Sequence, residues 1–426
     1  MVKNNRNLEN HFFQFEKIPT NWESTYFGNI FTFLPTFAFT RNSLTFNQTV
    51  LNVFNIHYGD IHSVFRSEIV DANFENLPFI FDELISNLNL CFLKDGDLLI
   101  ADASEDYEGI GKSVEIMNVN NKKITSGLHT ILVRDEIGAT TNGYRPYILK
   151  HPEVNKELKR IATGISVFGI SKNNLSRIRI LLPPLPEQQK IAAILSTWDD
   201  AIAKTQQLIN QLKLRNHGLQ QQLLSGKKRL KGFEKSKWVK VNASDVFKNV
   251  SVKNNDDNEQ LLSVTQDKGA IPRDVLQGRV TMPSGDTNSF KLIEPGDFII
   301  SLRSFQGGLE YSEYRGLVSP AYTVLKSVKP INNNFYKYYF KSHDFIGHLS
   351  VAVIGIRDGK QISFDDFCTV KIPYPSLEEQ NKITEILTCT SDEMKMQMQK
   401  IEALRQQKKG LMQQLLTGKI RVVTEN

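Results

Sequence analysis

Residues 183–229 read PPLPEQQKIAAILSTWDDAIAKTQQLINQLKLRNHGLQQQLLSGKKR, and residues 375–421 make the stretch again as PSLEEQNKITEILTCTSDEMKMQMQKIEALRQQKKGLMQQLLTGKIR. The offset is 192 (375 − 183) without a gap, and direct alignment finds 21 of 47 positions identical. In the first copy, apolar residues recur at spacings of 4 and 3: Ile191, Leu195, Trp198, Ile202, Ile209, Leu212, Leu219 and Leu223, with Thr205 and Asn216 in the same series. The second copy gives Ile383, Leu387, Met394, Ile401, Leu404, Leu411 and Leu415, interrupted by Thr390, Gln397 and Lys408. A seam of this period marks a long helix that needs a partner helix. About 39 helical residues at 1.5 Å each make a rod of ~60 Å.

Helix punctuation repeats as well. Prolines 183, 184 and 186 stiffen the approach to the first helix, and Ser376 followed by Glu379 has the spacing of a capping box. Gly226 and Gly418 stand where a C′ glycine would end each helix. Each seam matches the other inside one chain. An antiparallel register then sets Ile191 against Leu415, Leu195 against Leu411, Ile202 against Leu404 and Leu219 against Leu387. It also sets Asn216 against Thr390 and Trp198 against Lys408, a cation–π arrangement. Helices that only dimerise the protein between chains are the alternative. Gly218 and Gly410, at one outward position in both copies, suggest either close approach of another backbone or an inherited kink.

Working outward, each helix follows a globular segment. In the first, WESTYFGNIFTF from Trp22, then residues 91–93, 96–100, 130–133 and 170–180, read as strands. Residues 144–162 read as helix broken by Pro146 and Pro152. The second segment restates the first loosely: Trp238 with Val246-Phe247 matches Trp22 with Ile30-Phe31 at an offset of 216 (238 − 22), and PGDFII at 295–300 echoes DGDLLI at 95–100. The fold class expected is α+β, two α/β domains joined to two long helices by internal duplication. Boundaries fall at 1–182, 183–229, 230–374 and 375–426.

The chain of 426 residues is long enough for more than one core, and its net charge of +6 permits an acidic partner without proving one. Cys91, Cys368 and Cys389 form no pair or CxxC motif, which suggests a reducing compartment. No signal-peptide pattern and no long apolar run is found, so the expected location is cytoplasmic. No phosphate loop, GxGxxG, HExxH or GxSxG is present. Eight histidines show no metal-ligand spacing. Glu157-Leu158-Lys159 and Glu393-Met394-Lys395 lack the paired acid a nuclease needs. Ile372-Pro373-Tyr374-Pro375 lacks the Asn or Asp that an amino-methyltransferase loop uses. No catalytic residue and no metal site are assigned. Recognition or scaffolding is favoured over catalysis.

Two variable segments, each followed by prolines, a Glu-Gln-x-Lys-Ile helix start (187–191 and 379–383) and a Gln-Gln-Leu-Leu-[Ser/Thr]-Gly-Lys end (221–227 and 413–419), resemble the specificity subunit of type I restriction-modification systems. The resemblance spans essentially the whole chain. It implies two target recognition domains, each reading one half of a bipartite site on double-stranded DNA. It implies an antiparallel helical spacer that sets their separation and docks two methyltransferase (M) subunits, joined by restriction (R) subunits. It also implies that this chain is not catalytic and holds no cofactor, with S-adenosylmethionine, ATP and Mg in the partners. The competing readings are a coiled-coil interaction scaffold without DNA specificity and a self-contained methyltransferase. Base and phosphate contacts call for Arg, Lys and Gln on loops. The candidates are Lys112, Lys122, Lys123, Arg134 and Arg145 in the first segment. In the second they are Arg303, Gln306, Arg315, Arg357, Lys360 and Gln361, in the glycine-containing loops SLRSFQGG, YRG and IRDGKQ.

Overall fold

The structure is a computed structural model, and it describes residues 15, 17–73, 75–254, 258–276, 287–352 and 362–423. The long helices run Leu185–Leu224 and Leu377–Leu415. The chain divides into two compact units, 1–207 with 399–426, and 208–398. Each unit therefore holds one globular segment, the beginning of one long helix and the end of the other. This differs from the linear boundaries expected above, because a helix half packs with the core it touches rather than with its own continuation.

In the first unit the strand Glu23–Tyr26 pairs antiparallel with Arg179–Leu182. A five-stranded sheet follows the order 31–34, 130–135, 98–101, 113–117, 69–71. The second unit repeats the frame: Val239–Asn242 pairs with Lys371–Tyr374, and its sheet runs 247–250, 323–327, 298–300, 310–311. Both units thus place their second strand beside the strand that returns from the middle of the domain, and next to that the strand of the DGD or PGD phrase. Internal duplication is visible in topology where sequence identity is thin. The first unit adds a four-stranded sheet of 123–126, 53–56, 79–80 and 44–45 that has no match of that size among the described residues of the second.

The helix ends belong to these cores. Ile191, Ala192, Leu195, Leu415 and Leu416 join Trp22, Phe27 and Tyr147 in the first unit. Leu223, Leu224, Ile383 and Leu387 join Phe247, Phe335 and Tyr336 in the second. All twenty seam positions are buried or half-buried, as the period requires. The helices are antiparallel in both units: Lys408 meets Asp199 in the first, and the Asn216 amide donates to the Thr390 carbonyl at 2.9 Å in the second. The pairing of Asn216 with Thr390 follows the expected register. The cation–π contact expected with Trp198 is made with Tyr147 instead: the Lys408 ammonium lies 5.4 Å from the Tyr147 ring centroid, beside the carboxylates of Asp199 and Glu68. In a background lacking the native cysteines, Leu195→Cys with Leu411→Cys is expected to cross-link on oxidation. Failure to do so, read by a gel of tryptic fragments, would remove this register.

Several local expectations change. Residues 91–93 form no strand; Leu93 is apolar because its side chain enters the core, while its N–H donates to Ile124 O. Residues 170–180 split into a short helix, Lys172–Ser176, capped by Ser171, and the strand Arg179–Leu182. The WESTYFGNIFTF strand is broken by a helical turn, Phe27–Ile30, that buries Phe27 and Ile30. Gly218 and Gly410 face open space, and no backbone among the described residues lies against them.

Candidate nucleic-acid interface

The repeated Glu-Gln of each helix start turns inward. Trp22 donates its indole N–H to Glu187 at 2.9 Å, and Arg421 grips the same carboxylate through two 2.7 Å bonds while lying over the Trp22 ring. The second unit repeats this: Trp238 donates to Glu379 at 2.9 Å, and Arg229 makes bonds of 2.9 and 2.8 Å to it. Charge-assisted bidentate pairs of this kind are the strong ones. Each clasp takes its glutamate from the start of one long helix and its arginine from the tail of the other. Gln188 and Gln380 bridge the proline approach, donating to Pro183 O and Pro375 O, and receive the N–H of Thr141 and Asn332. Ser376 caps its helix through Glu379 N at 3.3 Å, but the Glu379 carboxylate serves the clasp, so the capping box is only half formed. Gly226 (φ +69°) and Gly418 (φ +64°) close the helices where an added Cβ would press on Trp238 in one case and on Pro19, with Trp22 behind it, in the other.

What faces outward differs between the units. In the second, the strand Phe298–Ile300 ends at buried Ser301, whose N–H donates to Ser304 Oγ at 2.8 Å and starts one helical turn, Ser304–Gly307. Gly308 ends it at φ +74°, where a Cβ would sit 1.8 Å from Phe340 O, so only glycine fits. Lys341 braces the turn from below, bonding Gly307 O, Gln266 O and Glu310. On this fixed turn Arg303 and Gln306 are exposed. Beside it lies the tip of the hairpin 262–265/269–272, where Gln266 donates to Arg303 O at 3.4 Å. Gln266 and exposed Lys268 thereby join the group; their sequence signal was an ordinary polar turn. Arg315 is engaged by Glu259 at 2.8 Å and by Glu294. Arg357, Lys360 and Gln361 lie outside the described residues.

In the first unit most of the candidate cations are framework. Arg145 is buried and bonds Thr140, Asn142 and Gly96 O, with Glu115 3.4 Å away. Burial pushes that glutamate up to about 7, against the Gly143 N–H and Arg145. Arg134 is bidentate to Asp97 at 2.7 Å. Lys112 donates to His62 O, and burial lowers its pKa. Lys122 donates to Ala72 O and lies over Phe54. Each of these four side chains is thus held by partners within its own unit. Lys123, on the edge strand Lys123–Ser126, is exposed.

Sequence reasoning missed an aromatic cluster here. Tyr58 lies 4.5 Å from the His57 ring, 6.1 Å from His62 and 5.3 Å from His129. Burial and then Arg41 lower the His57 pKa, while half-exposed Arg41 bonds Asp60 at 2.8 Å. His129 holds φ +55° and meets Asp102 at 3.0 Å. The five-residue gap between His57 and His62 fits neither a strand nor an α-helix. A π-helical turn, Asp60–Val64, brings both rings to Tyr58. The loop after the strand Leu98–Ala101, equivalent to the Arg303 turn, carries Asp102, Glu105, Asp106 and Glu108 instead.

Two domains of one topology with unlike outward loops, on helices with one repeated clasp, agree with comparison to known proteins. The sequence model of the type I restriction modification DNA specificity domain matches twice, over residues 19–214 and 235–406. The chain belongs to this family. As a specificity subunit it is the DNA-recognition component of a type I restriction-modification system, whose partners are DNA and the modification and restriction subunits. A curated relative, the putative type I restriction enzyme MjaX specificity subunit of Methanocaldococcus jannaschii, is 27% identical across 96% of each chain. The S subunit structure from M. genitalium superposes with a TM-score of 0.52 at 14% identity, covering 94% of this chain and 97% of that one. A chain from a structural study of complex assembly and conformational transition of the type I R-M system gives 0.57 at 17% identity, covering 95% and 100%. At these identities the structures show a shared fold. Among the described residues of this specificity subunit, no helix is long and apolar enough to cross a membrane, and no cluster of three His, Cys, Asp or Glu is placed to hold a metal ion.

Proposed function

We propose that each unit of this specificity subunit reads one half of a bipartite DNA site, and that the two half-sites differ in sequence. The observation that supports this is the contrast at one equivalent loop: Arg303 and Gln306 in the second unit, four carboxylates in the first. Arginine and glutamine present forks to guanine and adenine edges, whereas carboxylates accept from cytosine N4. Arg303, Gln306, Gln266 and Lys268 are the readers of the second unit. Lys123, Arg41, His129 and the acidic loop are those of the first. The long helices set the unread spacer and dock two methyltransferase subunits. The chain itself is not catalytic and acts in the cytoplasm; S-adenosylmethionine, ATP and Mg bind to the methyltransferase and restriction partners.

Arg303→Ala and Gln306→Ala, assembled with the partner subunits, test the reading. Each lost bidentate base contact is worth about 1–3 kcal/mol of discrimination. Methylation mapping is expected to show one relaxed position in one half-site, with the other half-site and the spacer unchanged. Uniform weakening on every sequence would instead make these residues phosphate contacts.

A further inference from the structure

On the outward edge of the first unit one pair of side chains is built in place rather than merely exposed. Leu98 pairs with Val133 in the first unit, and Phe298 with Leu325 in the second. Carried along the strands at an offset of 200 (298 − 98), Asp102 stands where the second unit has exposed Leu302, the residue before Arg303. At an offset of 192 (325 − 133), His129 stands where the second unit has exposed Ala321. One place on the common frame therefore faces outward in both units and carries unlike residues, as a position that reads unlike half-sites should.

Both members of the pair are held. The Asp102 N–H donates to His129 O at 3.1 Å, and Asp102 O accepts from the Ile170 N–H at 2.8 Å. His129 leaves a turn closed by Thr130, whose hydroxyl donates to Gly127 O at 2.6 Å. Its φ of +55° is uncommon for a residue with a side chain. Tyr58 packs edge-on against the imidazole at 5.3 Å. The other titratable and charged groups of this cluster are His57 after the strand Val53–Ile56, Asp60 and His62 in the π-helical turn, and Arg41, which Asp60 holds. His129 Nδ1 lies 3.0 Å from Asp102 Oδ1. A carboxylate only accepts, so Nδ1 carries the proton of the neutral ring and Nε2 is left as an acceptor. Nε2 has no hydrogen-bond partner among the described residues, and the side chain is 49% exposed. In the major groove the exocyclic amines of adenine and cytosine donate, whereas guanine and thymine present acceptor oxygens. A second proton on the ring makes Nε2 a donor and leaves the bond to Asp102 in place.

We infer that His129, oriented by Asp102, reads through Nε2 the exocyclic amine of an adenine or cytosine in the first unit's half-site, and that a second proton turns it to the acceptor edge of guanine or thymine. The inference rests on the proposed reading of one half-site by each unit. His129 touches the base; Asp102 is a positioning residue that acts through it. The complex, assembled with its partner subunits, would be bound to a pool of randomised duplexes at about pH 8 and about pH 5.5, on either side of the range in which histidine titrates. Sequencing of the retained duplexes gives the base selected at each position. Wild type is expected to select adenine or cytosine at one position at the higher pH. At the lower pH that position should move by roughly threefold or more toward guanine or thymine, with the other half-site unchanged. His129→Gln, which keeps a donor and an acceptor at either pH, should hold one preference at both. Asp102→Asn, whose amide can donate as well as accept, no longer fixes the tautomer and should relax the same position at the higher pH. A wild-type preference identical at both pH values overturns the inference, and so does a shift that persists in His129→Gln. Uniform weakening of every sequence in His129→Ala would make the histidine a phosphate contact and overturn it as well. A wild-type complex that selects bases in only one half-site overturns the reading beneath the inference.

Discussion

Glu379→Ala is expected to destabilise the second unit by about 3–5 kcal/mol, the usual cost of stripping one partner from a buried ion pair. Glu379 is 1% exposed and Arg229 16%, so little water can replace the lost bonds. The substitution leaves the Trp238 indole N–H and a guanidinium without their acceptor. Glu187→Ala should cost the first unit less, because Arg421 is 39% exposed and water can solvate it. Hydrogen exchange locates the damage. Amides of the strand Lys371–Tyr374 should lose protection in the Glu379 variant, and those of Arg179–Leu182 in the Glu187 variant. Equal losses in both strands from either substitution would show that the clasps do not act within single units. Glu379→Gln, which keeps one acceptor oxygen, should fall between wild type and alanine.

Lys408→Met should be as costly to the first unit, about 3–5 kcal/mol at neutral pH. Lys408 is 8% exposed and bonds both Glu68 and Asp199; Lys150 also reaches Glu68, and Tyr147 donates to Asp199 at 2.7 Å. Burial works to raise Glu68, but Lys150 and Lys408 outweigh it and hold the carboxyl well below the usual range. Burial, then the charge of Glu68, pushes Asp199 up. A carboxyl whose folded pKa is depressed stabilises the fold above its unfolded pKa and loses that contribution as pH falls. Removing Lys408 raises both carboxyls in the folded state. The deficit is therefore full above the raised folded pKa values of these carboxyls in the variant and shrinks as acid protonates them. Urea melts of the variant and wild type at pH 7 and pH 4 measure it; a deficit independent of pH would mean that methionine disturbs packing rather than charge. The second unit has Asn216 at the equivalent seam position (408 − 192), where a neutral amide meets a backbone carbonyl and no such pH dependence is built in.

The long helices were legible because a seam carries its own period: each apolar residue predicts the next, and no distant residue is needed to read it. The same holds for Gly226 and Gly418, whose place at a helix end is local. The role of Glu187 and Glu379 was not legible, since their tryptophan and arginine partners lie 141 to 234 residues away. Arg134 and Arg145 show the matching failure. Each is a cation near turn residues, like a DNA contact, but Asp97 in one case and Thr140 with Gly96 O in the other draw the side chain inward. Arg303 and Gln306 remain exposed on a turn that Lys341 braces through Gly307 O, Gln266 O and Glu310.

The crossed composition of the clasps also sets an order of events during synthesis. The second unit is one unbroken run, 208–398, and Arg229, Trp238 and Glu379 are all present once that run has left the ribosome. The first unit needs residues 399–426, so Glu187 waits 234 residues for Arg421. Domains usually fold in the order they are made, amino-terminal first. Here the segment made first is finished last. Until Leu415 and Leu416 have been made, Trp22, Leu195 and Ile191 lack their cover, and the nascent chain carries that apolar surface through the whole manufacture of the other unit.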